Sequence, residues 1–174
     1  MSRYDHPMQA RQGDQDYFKS VLVTVVGSAF AAAGYHLADE PMQWLGGRYR
    51  FIKPLEGSWQ AIIEFQVLAY TDNAYTGQQP SRFRVTLIRS DQPAGKPSAH
   101  PDYLHRTLSQ LVVSDFGVAI LPSAEYWWQF NDTTSLGNAL AEAGHLAAGY
   151  GIPWLQGDLS PDDAKDAADD PSSA

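Results

Sequence analysis

Small or apolar residues fill nearly every position between 21 and 33, and helical spacing from Tyr17 onward sets the first element. Tyr17, Val21, Val25, Ser28, Ala29 and Ala32 recur at helical intervals, which predicts one side of a helix. Asp14 is the expected N-cap and Gly34 the expected stop. Phe18, Leu22, Val26 and Phe30 occupy the other faces, so this helix is expected to be buried widely rather than along one stripe.

Beyond Gly34 the period shortens to two. Residues 43–52 hold Gly46-Gly47 between two short runs, a hairpin signal. The second arm alternates Arg48 and Arg50 with Tyr49 and Phe51. Pro54 and Gly57 mark a turn. Residues 59–70 form the strongest strand pattern. Trp59, Ala61, Ile63, Phe65 and Val67 lie on one face, and Gln60, Ile62, Glu64 and Gln66 on the other. A polar loop is expected at 72–81. Residues 82–89 then alternate Phe83, Val85 and Leu87 with Arg82, Arg84 and Thr86. No room is left between these runs for helical crossovers, so they read as an antiparallel meander.

Prolines and a glycine make 90–101 a loop. Over 102–113 the spacing of Leu104, Leu108 and Leu111 predicts a short helix, followed by a strand. Residues 126–130 read as another strand, at the sheet edge. Residues 131–134 offer several caps for a closing helix over 135–148, with Leu136, Leu140, Ala143, Leu146 and Ala147 inward. Gly149 or Gly151 is the expected end, and Trp154 and Leu155 are expected to fold back on the core.

The expected fold class is α+β: an antiparallel sheet of about five strands with the N- and C-terminal helices packed on one face. The expected organisation is a flexible N-terminus (1–13), a single domain (14–156) and a disordered acidic tail (157–174).

Charge sharpens that division. The chain of 174 residues carries a net −8. Residues 157–174 hold six aspartates against one lysine, which leaves −3 for everything before them. Such a tail has too little apolar surface to offset ordering entropy. Neither part is basic, so no nucleic-acid partner is expected. The apolar run at 21–33 is shorter than the roughly 20 residues of a membrane span, and no membrane association is expected. Cysteine is absent, and residues 1–16 show no secretory pattern. Both suit a cytoplasmic protein.

The chemistry-bearing motifs sought here are a phosphate loop, a dinucleotide fingerprint, HExxH and GxSxG. None occurs in the sequence. His100, Asp102 and His105 cluster in sequence, but Pro101 breaks any helix that would align them, and no metal or cofactor is expected. Among the acids Glu56, Glu64 and Glu125, Glu64 stands on the strongest strand. It is expected to pair with Arg82 or Arg84 across the wet sheet face. Arg48, Arg50, Glu64, Gln66, Arg82 and Arg84 are expected on that one face. Of the pair Trp127 and Trp128, one belongs in the core and one to an edge or partner. Trp128 is taken with the arginines as the candidate binding set.

Several short motifs recur together. They are Ala-Ala-Gly-Tyr at 32–35, Arg-Tyr-Arg-Phe at 48–51, Ile-Glu-Phe-Gln at 63–66, Phe-Arg-Val at 83–85, Tyr-Trp-Trp at 126–128 and Gly-Ile-Pro-Trp-Leu at 151–155. Their order resembles an uncharacterised bacterial family of unknown function. The resemblance covers about 16–156 and implies the order of elements, with no catalytic residue to carry over. Two readings of function stand. The first is a non-enzymatic module that binds another protein through the sheet face, in the manner of an immunity protein or antitoxin. The second is a binder of a small anionic ligand, or an enzyme of unrecognised type, on the same polar face.

Overall fold

A computed structural model describes residues 6–69 and 80–169. Residues 1–5 of the expected N-terminal segment, 72–79 of the expected polar loop and 170–174 of the tail lie outside this range. The fold is α+β, as the patterning predicts. A six-stranded antiparallel sheet has the order β1-β2-β3-β4-β5, with β6 also paired to β4. The strands are β1 (His36–Leu37), β2 (Arg48–Pro54), β3 (Gln60–Leu68), β4 (Ser81–Ser90), β5 (Leu104–Thr107) and β6 (Trp128–Phe130). The helices are α1 (His6–Ala32), α2 (Pro41–Leu45), α3 (Thr133–Leu146), α4 (Ile152–Gln156) and α5 (Pro161–Asp169).

The core lies between one sheet face and the helices. Phe18, Leu22, Val26 and Phe30 are each at most 2% exposed, and their spacing of four puts them on one side of α1. This corrects the expected wide burial: Tyr17, Val23 and Val25, on the other faces, are exposed. The larger side chains won the sheet because burial scales with apolar area. Phe18 meets Tyr49 with ring centroids at 5.2 Å, and Phe30 meets Phe51 edge-on at 5.0 Å. Asp14 lies inside α1, so it is not the N-cap. Gly34 ends α1 as expected, at φ +92°. There Tyr35 N–H donates to the Phe30 carbonyl and Gly34 N–H to the Ala31 carbonyl, the paired bonds of a left-handed helix stop.

The expected hairpin at Gly46-Gly47 is instead the end of α2, which Pro41 begins. The two glycine amides donate back to Gln43 and Trp44. Gly47 sits at φ +76°, where a Cβ would come within 2.4 Å of the Val67 carbonyl oxygen. Paired glycines serve a helix stop as well as a hairpin. The order over 102–113 is likewise reversed. Leu104–Thr107 is the strand β5, paired with Thr86–Arg89. A helical turn follows it and widens over Gln110–Asp115. A fork of two bonds from Arg106 to Asp115, at 2.9 and 2.6 Å, holds that turn to β5.

Asp132 is the cap of α3: its carboxylate accepts from Ser135 N–H, and the Ser135 hydroxyl accepts from Asp132 N–H. Leu136, Leu140, Ala143 and Leu146 face inward, as predicted. The helix does not stop at Gly149 or Gly151. It widens over Ala147–Gly151 and continues into α4, where Pro153 is tolerated in the first turn. Gly157, at φ +81°, provides the stop. Leu155 is fully buried. Residues 161–169, expected to lack order, form α5, with Asp162 and Asp163 in its first turn and Asp163 N–H donating to the Ser160 hydroxyl. Acidic groups there match the helix dipole.

Two glycines in α3 make opposite predictions. A Cβ at Gly137 would meet nothing within 4 Å, whereas one at Gly144 would lie 2.7 Å from Val26 Cγ1 on α1. Gly137→Ala is expected to raise stability by about 0.5–1 kcal/mol through helix propensity. Gly144→Ala is expected to lower it despite the same gain, because a β-branched valine in a helix has no alternative rotamer to retreat to. Urea melts of the two variants check this, and shifts of the same sign would refute it. The cap also titrates. Hydrogen bonding from the Ser135 backbone, then its side chain, holds the Asp132 carboxyl below the usual range. Its stabilisation is complete above the unfolded-state pKa and is lost as pH falls through the lowered folded value. Ser135 amide exchange in acid is the readout.

Candidate functional site

Cross-strand partners share a sheet face, and the register of β2, β3 and β4 gathers the polar residues. Arg48 faces Gln66, which faces Arg84; Arg50 faces Glu64, which faces Thr86; Leu68 faces Arg82. The structure therefore brings together Arg48, Arg50, Glu64, Gln66, Arg82 and Arg84 on the side of the sheet away from α1 and α3.

The pairing within this group differs from expectation. Glu64 pairs with neither Arg82 nor Arg84. Its Oε2 accepts from Arg50 Nε at 2.8 Å and its Oε1 from Arg48 Nη1 at 3.4 Å. The reason is positional: β4 presents Thr86 opposite Glu64, while β2 presents Arg50. The Glu64 side chain is 6% exposed and that of Arg50 14%, so this is a nearly buried pair. Arg50 also donates from Nη1 to the Ala94 carbonyl at 2.8 Å. Ala94 itself has φ +56°, in the left-handed region that a side chain enters at some cost. Gly95 follows against Ile62. The 91–101 loop thus closes over one end of the polar face and leaves the other end to Arg48, Gln66, Arg82 and Arg84.

At that open end Arg84 Nε donates to Gln66 Oε1 at 3.1 Å. The guanidinium carbons of Arg82 and Arg84 lie 4.8 and 4.9 Å from the centre of the Trp127 ring, within cation–π range. Arg82 Nε is buried without a hydrogen-bond partner among the described residues. Gln129, opposite Arg82 on β6, is exposed at the margin.

Trp128 is not part of this face. It pairs with Phe83, stacks on its ring at 5.5 Å and is 2% exposed, with its Nε1 donating to Glu142. The indole on this face is that of its neighbour Trp127. Alternation alone puts the two on opposite sides, and only the register with β4 says which is inside.

The other acids lie apart from Glu64. Glu56 is in the β2–β3 turn and Glu125 precedes β6, both exposed. Both oxygens of Glu64 are engaged by arginine. His100 Nδ1 lies 3.9 Å from Asp102 Oδ2, but no group of three metal-ligating side chains forms among the described residues. None of the described helices is long and apolar enough to cross a membrane.

Arg50 is expected to matter to the fold far more than Arg48. Arg50→Ala removes the closer partner of a buried carboxylate and the tie to the strained turn, at about 2–3 kcal/mol. Arg48, with its side chain 43% exposed, should contribute less than about 1 kcal/mol. Denaturant midpoints, with hydrogen exchange over 91–101, test this; equal losses would contradict it. Comparisons with protein-family models, with curated proteins and with solved structures find no match.

Proposed function

We propose that this chain is a non-enzymatic binding module that engages an acidic segment of a protein partner through its arginine–tryptophan face. The observation that carries the reading is Trp127 with the guanidinium groups of Arg82 and Arg84 against its ring. Tryptophan and arginine are the residues most enriched among those that dominate binding energy. A guanidinium oriented by an aromatic ring retains N–H donors for a carboxylate.

Charge supports an acidic partner. Four arginines share this face with one glutamate, on a chain whose net charge is −8. The face is therefore a local positive field on a negative protein, which steers and orients an acidic surface. Arg50 and Glu64 are committed to each other and to the 91–101 loop, so they support the face rather than contact the partner. Arg48, Gln66, Arg82, Arg84 and Trp127 make the contacts. An immunity- or antitoxin-like role in a bacterial cytoplasm fits a module of this kind, and the lack of cysteine suits a reducing compartment. A small anionic ligand on this same face is the weaker reading, since two of the residues it would use are already paired.

Poly-L-glutamate titrated against the intact protein, followed by tryptophan fluorescence and calorimetry, is the test. Trp127→Ala is expected to weaken binding by about 30-fold or more, the loss of a hot-spot side chain. Arg82→Gln with Arg84→Gln should do the same and flatten the salt dependence. The fold should survive both changes. Binding indifferent to all three residues, or stronger binding to a single-stranded oligonucleotide, would overturn the reading.

A further inference from the structure

The helix-covered face of the sheet carries a second site at its far end. Beyond the aromatic row of Tyr49, Phe65 and Val85, and the next row of Phe51, Ile63 and Leu87, the register places Lys53, Ala61 and Arg89 side by side on β2, β3 and β4. The middle residue is a methyl group and its neighbours are long cations. Lys53 extends along Gly34 toward Tyr35, and Arg89 toward α4. Ala61 itself is fully buried, and an open cleft of about 730 Å³ at this end of the sheet is lined by Lys53 and Arg89. That volume suits a small metabolite.

Neither cation is neutralised. Among the described residues no carboxylate lies within salt-bridge distance of Lys53 or Arg89. Arg89 is instead fixed by two carbonyls, with Nε donating to Asp102 O at 3.1 Å and Nη1 to Leu155 O at 3.0 Å. A guanidinium has five N–H donors, so this tethering orients the group and leaves three for a ligand. The Lys53 ammonium stands over the ring of Tyr35 at 5.8 Å. The Tyr35 hydroxyl is buried, and desolvation pushes its pKa up to about 12 against a hydrogen bond with Gln156, which lines the cleft.

The walls choose among anions. Leu55 and Trp59 line one part of the cleft, and the Trp59 ring is braced edge-on against His100 at 4.9 Å. Glu56, Asp102 and Asp158 also line it, and all three are exposed. Their charge opposes a polyphosphate more than it opposes a single carboxylate, for which Lys53 and Arg89 supply the cationic donors. We propose that this cleft binds a small monocarboxylate with a flat apolar body, its carboxylate held by Lys53 and Arg89 and its body laid against Trp59 and Leu55.

The probes are phenylacetate, its neutral analogue phenylacetamide, and inorganic phosphate, each titrated against the full chain by calorimetry and thermal shift. Phenylacetate is expected to bind saturably and raise the melting temperature, while phenylacetamide and phosphate do not. Lys53→Gln should weaken phenylacetate at least about tenfold, the loss of one charge-assisted contact. Arg89→Gln should weaken it too, but Arg89 also ties α4 to the sheet, so Lys53→Gln is the decisive variant. Trp127→Ala should leave phenylacetate binding unchanged, because that indole is on the opposite sheet face; the two sites therefore succeed or fail separately. No binding up to about 10 mM, the weak end of small-ligand affinity, would overturn the proposal. So would equal binding of phenylacetamide or phosphate, or affinity untouched by Lys53→Gln.

Discussion

The in-register pairing of β2, β3 and β4 governs both faces of the molecule. Because side chains alternate strictly along a strand, one register sends Tyr49, Phe51, Ile63, Phe65, Phe83 and Leu87 toward the helices and Arg48, Arg50, Glu64, Gln66 and Arg84 away from them. A slip of one residue in β3 would bury Glu64 against Phe30 and expose Phe65. The buried aromatic row therefore holds the arginines in place as firmly as it holds the core. Neither face has a geometry independent of the other.

Where local pattern and tertiary pairing agree, the fold was legible. The alternation in β3 and β4, the inward leucines of α3 and the shared face of the arginines all follow from spacing. The failures have definite causes. In α1, Tyr17–Val21–Val25 and Phe18–Leu22–Val26–Phe30 have the same period, so periodicity could not choose; side-chain size did. Leu104 and Leu108 are spaced like helix neighbours, yet Leu104 lies in a strand because β4 offers backbone partners there. Trp127 and Trp128 are distinguished only by Phe83, more than 40 residues earlier in the chain. The Lys53–Arg89 cleft is written in no local motif. The two cations that line it come from β2 and β4, which only the strand register sets in one row. The helix at 161–169 shows another limit. Composition rules out a core there, but a capped helix with acids in its first turn needs none.

Arg50 links these levels. It neutralises Glu64, which the register places at a nearly buried position, and a second donor, Nη1, reaches the Ala94 carbonyl in a turn of unfavourable backbone angle. One side chain thus compensates a buried charge and a strained turn. With those two roles filled, the polar face divides into a rigid half under the 91–101 loop and an open half around Trp127.

β5 and β6 both pair with β4 on its outer side, at Thr86–Arg89 and at Ser81–Phe83, and leave Arg84 and Val85 between them. The opposite margin of the sheet is β1, of only two residues. Among the described residues neither margin offers a long run of free backbone groups, so the sheet is a poor template for adding a strand from another molecule. This blunts self-association into fibrils and equally denies a visitor the option of main-chain pairing. On the proposed reading, recognition is written in side chains.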